Sequence, residues 1–461
     1  MKRSRRGLEI SACSFVATLL RAVAMAWLIL CAGTLHAATI TVSNNNDSGA
    51  GSLRAAVTAA SPGDTIVFGS IPSPITLTSG AIVISQNLTI NGPGAGTLTV
   101  SAGKASSVFS VASGTVTISK LTISDGFNLV AGGGIFNAGT LTLADATVSG
   151  NAANICCGGG IYNNLGTMTL NNVTVSGNHT AGAGGGIGND GTMTITNSTV
   201  SGGSAGGGGG GIFNAGTMII TNTAVSGNNA TGVGGGIGTS GTLTLSNSTL
   251  SGNSGTFGGG IGAEAATTIT NSTISGNMAA TEGAAIDVLG GTTTLTNVTI
   301  AANGSGGEAQ LNIGNTNGAA TTIESAIIGN PLAGGKNCSG VVPTSAGFNL
   351  DSANTCLFGQ STDLHNTNPL LGPLQNNGGP TLTMALLTGS PAIDKGANPL
   401  ALAFDQRGKG FPRVIGAAAD IGAFEVQAGP LSIPTLEVLA LIALSTFSAL
   451  VGVASLRRHG S

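Results

Sequence analysis

Aromatic residues make up 3% of this 461-residue chain, with one Trp and one Tyr, and charged residues make up 7%. That scarcity excludes an ordinary globular core built on large side chains. No Lys or Arg occurs between Lys120 and Lys336, although Asp125, Asp145, Asp190, Glu264, Glu282, Asp287, Glu308 and Glu324 are scattered through the same stretch. A phosphate backbone is held by clustered basic side chains, so nucleic acid is not expected as a partner. The missing cations also weigh against a polyuronate lyase, which commonly uses Arg or Lys to abstract a proton and neutralise the substrate carboxylate. The 4 His and 6 Cys show no metal-ligand spacing, and neither a metal nor another cofactor is expected.

What the chain has instead is glycine, 78 residues of it, and a repeat. A Gly-rich step leads into Ile at positions 135, 161, 187, 212, 237, 261 and 286, always 24 to 26 residues apart. A unit that short cannot bury its own apolar face and must stack on its neighbours. Within the units, stretches such as Gly139 to Asn151 and Gly241 to Asn253 alternate aliphatic residues with Thr at the period of a strand. The reading is an all-β, right-handed parallel β-helix with three short strands per coil. Leu141, Leu143, Met168, Leu170, Met193, Ile195, Leu243 and Leu245 are expected to point inward.

Stacking in register places like residues on one another. Asn137, Asn163, Asn189 and Asn214 are expected to form one column, and Asn151, Asn178, Asn228, Asn253 and Asn277 another, each amide bonding the next at a corner. Catalysis on such a scaffold needs carboxylates brought to one face, and the weak candidates are Glu264, Glu282 and Asp287 on neighbouring coils. Stacked Thr-x-Thr pairs, among them Thr140 and Thr142, Thr167 and Thr169, and Thr192 and Thr194, make a regular hydroxyl and methyl face interrupted at Ile219. That face resembles the ice-binding surface of some β-solenoid antifreeze proteins, and ice binding is a minor functional alternative.

Residues 1–38 have a basic start, an apolar run from Ala22 to Ala32 and a small-residue exit, and read as a signal peptide. At the other end, in residues 428–461, Val438 to Leu456 is long enough to cross a bilayer and is followed by Arg457 and Arg458. Ile433-Pro434-Thr435-Leu436 before that segment resembles the IPTL-type C-terminal sorting signals of Gram-negative bacteria. The resemblance implies export, at least transient membrane insertion, and recognition by a membrane-bound processing enzyme.

Residues 39–115 read as an N-terminal cap with the first coils, in which Ser52-Leu53-Arg54-Ala55 resembles part of the cap motif of exported β-helix proteins. Arg54 is expected to pair with Asp64. Residues 116–330 hold the repeats, and the repeat dissolves after Asn330. Residues 331–427 contain NPLLGPLQNNGGPTLTMALLTGSPAIDKG, FDQRGKGFPR and ADIGAFE, and Asn368 to Glu425 resembles the choice-of-anchor Q domain that follows β-helices in exported bacterial proteins. Asp394, Asp405, Arg407, Arg413, Asp420 and Glu425 are expected to form a network that docks this module on the last coil.

Outside the reducing cytosol, Cys338 and Cys356 are expected to close a disulfide, while Cys156 and Cys157 are left open between a vicinal disulfide and thiols. The repeat also resembles the passenger regions of polymorphic outer-membrane adhesins. The functional expectation is an exported, envelope-anchored or surface-anchored adhesin or structural protein contacting a polysaccharide or another cell. The alternative is a polysaccharide-degrading enzyme of the pectin-lyase-like class.

Overall fold

The computed structural model describes residues 37–304, 309–314 and 317–427. The signal peptide and the C-terminal sorting segment therefore lie outside the described residues, apart from Ala37 and Ala38. Glu308 also lies outside them.

The repeats stack into a parallel β-helix. The coils pass through sheet C, sheet A and sheet B, and seven of them also through a short sheet D. Ile135–Asn137, Thr140–Ala144, Thr147–Ser149 and Ala152–Ala153 form one such coil. Among the described residues, sheets A and B hold thirteen strands each, sheet C eleven and sheet D seven. Sheet D makes four strands in each of those seven coils, where the alternation predicts three. Its strands, such as His179–Thr180, are mostly two residues long, too short to show a period. Pairing joins each strand to its counterpart one coil away, as in Leu141 on Met168 and Leu143 on Leu170. The alternation works as expected: Leu141, Leu143, Met168, Leu170, Met193, Ile195, Leu243 and Leu245 are all buried in a single continuous core.

The corner between sheets A and B explains the recurrent Asn-x-Ser/Thr. Asn172, Asn197, Asn247, Asn271 and Asn297 all sit there with φ between 48° and 55°, as does Asn222, which is followed by Thr223-Ala224. Asn tolerates this left-handed conformation because its short side chain bonds locally.

At the N-terminal end the helix Leu53–Ala59 buries Leu53, Ala56 and Val57 against the first coils, and the Ser52 hydroxyl caps it by accepting from the Ala55 amide. Arg54 does not pair with Asp64. It bonds Asp47 at 2.7 Å and the carbonyls of Gly80 and Ala81. Asp64 instead accepts from the amides of Ala38 and Ser61, because it faces the turn rather than the helix flank.

The boundary placed after residue 330 does not coincide with the end of the coils. Cys338–Gly340, Thr344–Gly347, Leu350–Asp351 and Leu364–His365 continue sheets C, A and B. The chain then turns back. A hairpin of Leu371–Gln375 and Thr383–Leu386 opens the C-terminal module, which lies along the flank of several coils rather than on the last one. Gln406 accepts from Thr273 Oγ1 and donates to Thr249 Oγ1 and to the Ser248 carbonyl. Ala397 and Ala423 bond Ser325 and Thr299. Ile327, Leu350, Leu386, Ala392, Ile421 and Phe424 form a second apolar cluster between module and coil.

Candidate functional site

The middle residue of each sheet C strand points away from the core, and pairing places these residues in one line. The line runs Val83, Ser110, Phe136, Tyr162, Gly188, Phe213, Gly238, Gly262, Asp287, Asn312 and Ser339. Successive members are about 4.8 Å apart, the spacing of paired strands. The lower half is apolar and aromatic. Phe136 and Tyr162 lie with ring centroids 5.8 Å apart at 57°. The Tyr162 hydroxyl donates to Asp190, and burial together with that carboxylate raises the phenol pKa.

The upper half is polar. Asn312 Nδ2 donates to Glu282 Oε2 at 2.9 Å and to Asp287 Oδ1 at 2.8 Å, so the two carboxylate oxygens lie within roughly 6 Å of each other. Ser339 Oγ donates to Asn312 Oδ1 and fixes the amide. Asp287 is fully buried, and its Oδ2 has no hydrogen-bond partner. Burial pushes its carboxyl up to about 6, the Asn312 bond pulling the other way and the Glu282 charge adding to the rise. Glu282 is exposed and lines a cavity of about 440 Å3 with Asn312, Ile313, Gly314, Gly340 and Val341. Two carboxylates this close, one buried and one exposed, resemble the pair that acid and base work on a glycosidic bond uses.

Of the three carboxylates singled out in the sequence, two meet. Glu264 is exposed at the corner between sheets C and A and shares no hydrogen bond with Glu282 or Asp287. Asn312 and Ser339 were missed, because only register reveals that they stack on Asp287; they follow Leu311 and Cys338, where the repeat Ile is replaced.

The asparagines occupy the interior corners. Asn137, Asn163 and Asn189 each donate from Nδ2 to Oδ1 of the next, at 2.7, 2.8 and 2.8 Å, and Asn214 donates to Thr239 Oγ1. In the second column Asn151 donates to Asn178, Asn228 to Asn253, and Asn253 to Asn277. The column breaks at Gly203 and extends upward through Asn303, Gln310 and Asn337. All nine are buried, which makes them internal supports rather than contact residues.

Cys338 and Cys356 are joined, as are Cys156 and Cys157. In the C-terminal module Arg407 pairs with Asp405 at 2.6 Å and lies between the rings of Phe411 and Phe424 at 4.0 and 3.8 Å. Glu425 accepts from the amides of Ile415 and Asp420, Asp420 accepts from those of Asp394 and Val426, and Asp394 accepts from that of Ala417. Arg413 is fully buried and donates to the Asp420 carbonyl. These groups hold the module's loops together, and the polar contacts with the coil are made by Gln406, Thr381 and backbone groups.

Sheet A carries the Thr columns, with Thr140, Thr167, Thr192, Thr217 and Thr242 exposed in register and Ile219 interrupting the adjacent column. No group of three or more His, Cys, Asp and Glu that could hold a metal occurs among the described residues, and none of their helices is long and apolar enough to cross a membrane.

No family model and no curated protein matches the sequence. Among solved structures, the chain is similar to the crystal structure of pectate lyase Pel9A, with 16% identity over 86% of this chain and 98% of that one and a TM-score of 0.47.

Proposed function

We propose that the chain is a surface-displayed β-helix protein that binds an extended polysaccharide along the outer face of sheet C. The single in-register line from Val83 to Ser339 supports this reading. Its accessible members Val83, Phe136 and Phe213 offer aliphatic and aromatic groups to the apolar faces of sugars, and Ser110, Ser339 and the neighbouring Glu282 offer hydroxyl and carboxylate groups to their hydroxyls. The proposal includes export through residues 1–38 and delivery to the envelope through residues 428–461, with a membrane-bound processing enzyme as partner. It also includes a choice-of-anchor Q-like role for the module that braces the coils. Adhesion to a polysaccharide matrix or to another cell follows from these parts.

A second reading, hydrolysis of the bound chain, is favoured by the Asn312-bridged pair of Glu282 and Asp287. Residues 38–427 are incubated with immobilised neutral, uronic and amino-sugar polysaccharides, and retention and new reducing ends are scored together. Retention without new ends is the expected result. New ends that vanish in Glu282→Gln assign hydrolysis, and failure of every polysaccharide to retain the protein refutes the proposal.

A further inference from the structure

Below the acid pair, a groove of about 470 Å3 lies over the first members of the same line. Its floor is Val83, Ser110 and Phe136, on three successive coils. Its wall is formed by Ser106 and Ser107 together with Asn128 and Leu129, Asn128 Nδ2 donating to Ser107 Oγ at 2.8 Å. Val83 is 57% exposed and Leu129 60%, so apolar surface faces solvent here without a partner. None of the lining residues carries a charge.

The adjacent cysteines sit one coil above the lining residues and back the loop that carries Leu129. The Cys156 amide donates to the Val130 carbonyl at 2.9 Å, which seats the cysteine loop on the wall carrying Leu129. Gly188 leaves the room this requires. A Cβ there would lie 3.1 Å from Cys157 Cβ and 3.2 Å from the Tyr162 ring.

We infer that this groove is a binding subsite for a neutral, unbranched sugar chain, with the loop that carries Leu129 held in shape by the Cys156–Cys157 disulfide. The inference rests on the carbohydrate reading above and narrows it. A pyranose presents C–H groups on its faces, which pack on Val83, Leu129 and the edge of Phe136. It presents hydroxyls around its rim, which reach Ser106, Ser110 and Asn128. The floor spans two coil steps of about 4.8 Å each, room for two rings of a linear chain. A uronate would leave its carboxylate unpaired, because no cation lines the groove, and burying an unpaired charge is costly.

The test is calorimetric titration of residues 38–427 with cellohexaose, xylohexaose and mannohexaose as neutral probes and hexagalacturonate as the charged one. At least one neutral probe is expected to bind. Leu129→Asp and Phe136→Ala should each weaken it at least tenfold, and Cys156→Ser/Cys157→Ser several-fold. Leu165→Asp, which changes an apolar residue 80% exposed at another corner, should leave it unchanged. Leu129 is solvent-facing, so its variant folds even where Phe136→Ala does not, and circular dichroism checks both. Preference for hexagalacturonate, or neutral binding indifferent to Leu129→Asp, overturns the inference. If no hexamer binds while the polysaccharide panel still retains the protein, the subsite fails and the broader reading stands. If nothing binds in either assay, both fail.

Discussion

Asn253→Ala probes the internal asparagine column directly. Asn253 Oδ1 accepts from the Asn228 backbone amide at 3.0 Å and from Asn228 Nδ2 at 2.9 Å, and its own Nδ2 donates to the Val225 carbonyl and to Asn277 Oδ1, both at 2.9 Å. Alanine removes all four bonds and leaves the buried Asn228 amide without an acceptor. A net hydrogen bond contributes about 1 kcal/mol and an orphaned buried polar group costs about 1–3 kcal/mol, so the expected destabilisation is about 4 kcal/mol. The neighbouring Asn229 is exposed, and Asn229→Ala should stay within about 0.5 kcal/mol of the parent. Guanidinium unfolding of residues 38–427, followed by circular dichroism, compares the two. A solenoid couples mainly nearest neighbours, so amide exchange should quicken in the coils around residue 253 and not around residue 90. Equal stability of the two variants would refute the supporting role given to the column.

Other consequences follow from the same contacts. The Asp287 carboxyl is raised to about 6 from an ordinary value of 3.8, so the folded chain binds the extra proton between these values. Its contribution to stability is therefore fully present below about pH 4 and is lost as pH rises through 6; Asp287→Asn should flatten that part of a thermal pH profile. Gln406→Ala removes three hydrogen bonds linking the module to Thr249, Thr273 and Ser248 of the coils, and two more within the module to Thr381 and Leu382. Limited proteolysis should then release fragments from the 366–427 region earlier than in the parent, and unchanged cutting would show that the apolar cluster alone holds the module. Cys338 and Cys356 are 18 residues apart, and Cys338→Ser should cost about 3 kcal/mol by loop entropy, read as a lowered thermal midpoint.

Much of the scaffold could be read in the sequence because its signals are local and repeated. The seven Ile residues set the coil length, and the alternation of Leu141 and Leu143 with Thr set the inward face. What stayed hidden depends on register or on distance along the chain. Sheet D was invisible because Ala152–Ala153 and its counterparts carry no period. Gln406 gave no hint that it would reach Thr273, 133 residues earlier, so the module was placed on the last coil instead of along the flank. Arg54 had two acids within reach in sequence, and Asp47 rather than Asp64 faces it. The acid pair was half legible. Glu282 and Asp287 stood out as rare charges, whereas Asn312 and Ser339 are ordinary polar residues until stacking places them on Asp287.

Hydroxyl-radical footprinting of residues 38–427, with and without a polysaccharide that retains the protein, tests the central claim most directly. Protection is expected at Val83, Phe136 and Phe213 along the outer line of sheet C and at Leu129 beside it, with the sheet A face around Ile219 left as reactive as in the free protein. Protection of the sheet A face with Phe136 and Leu129 unchanged would contradict the account.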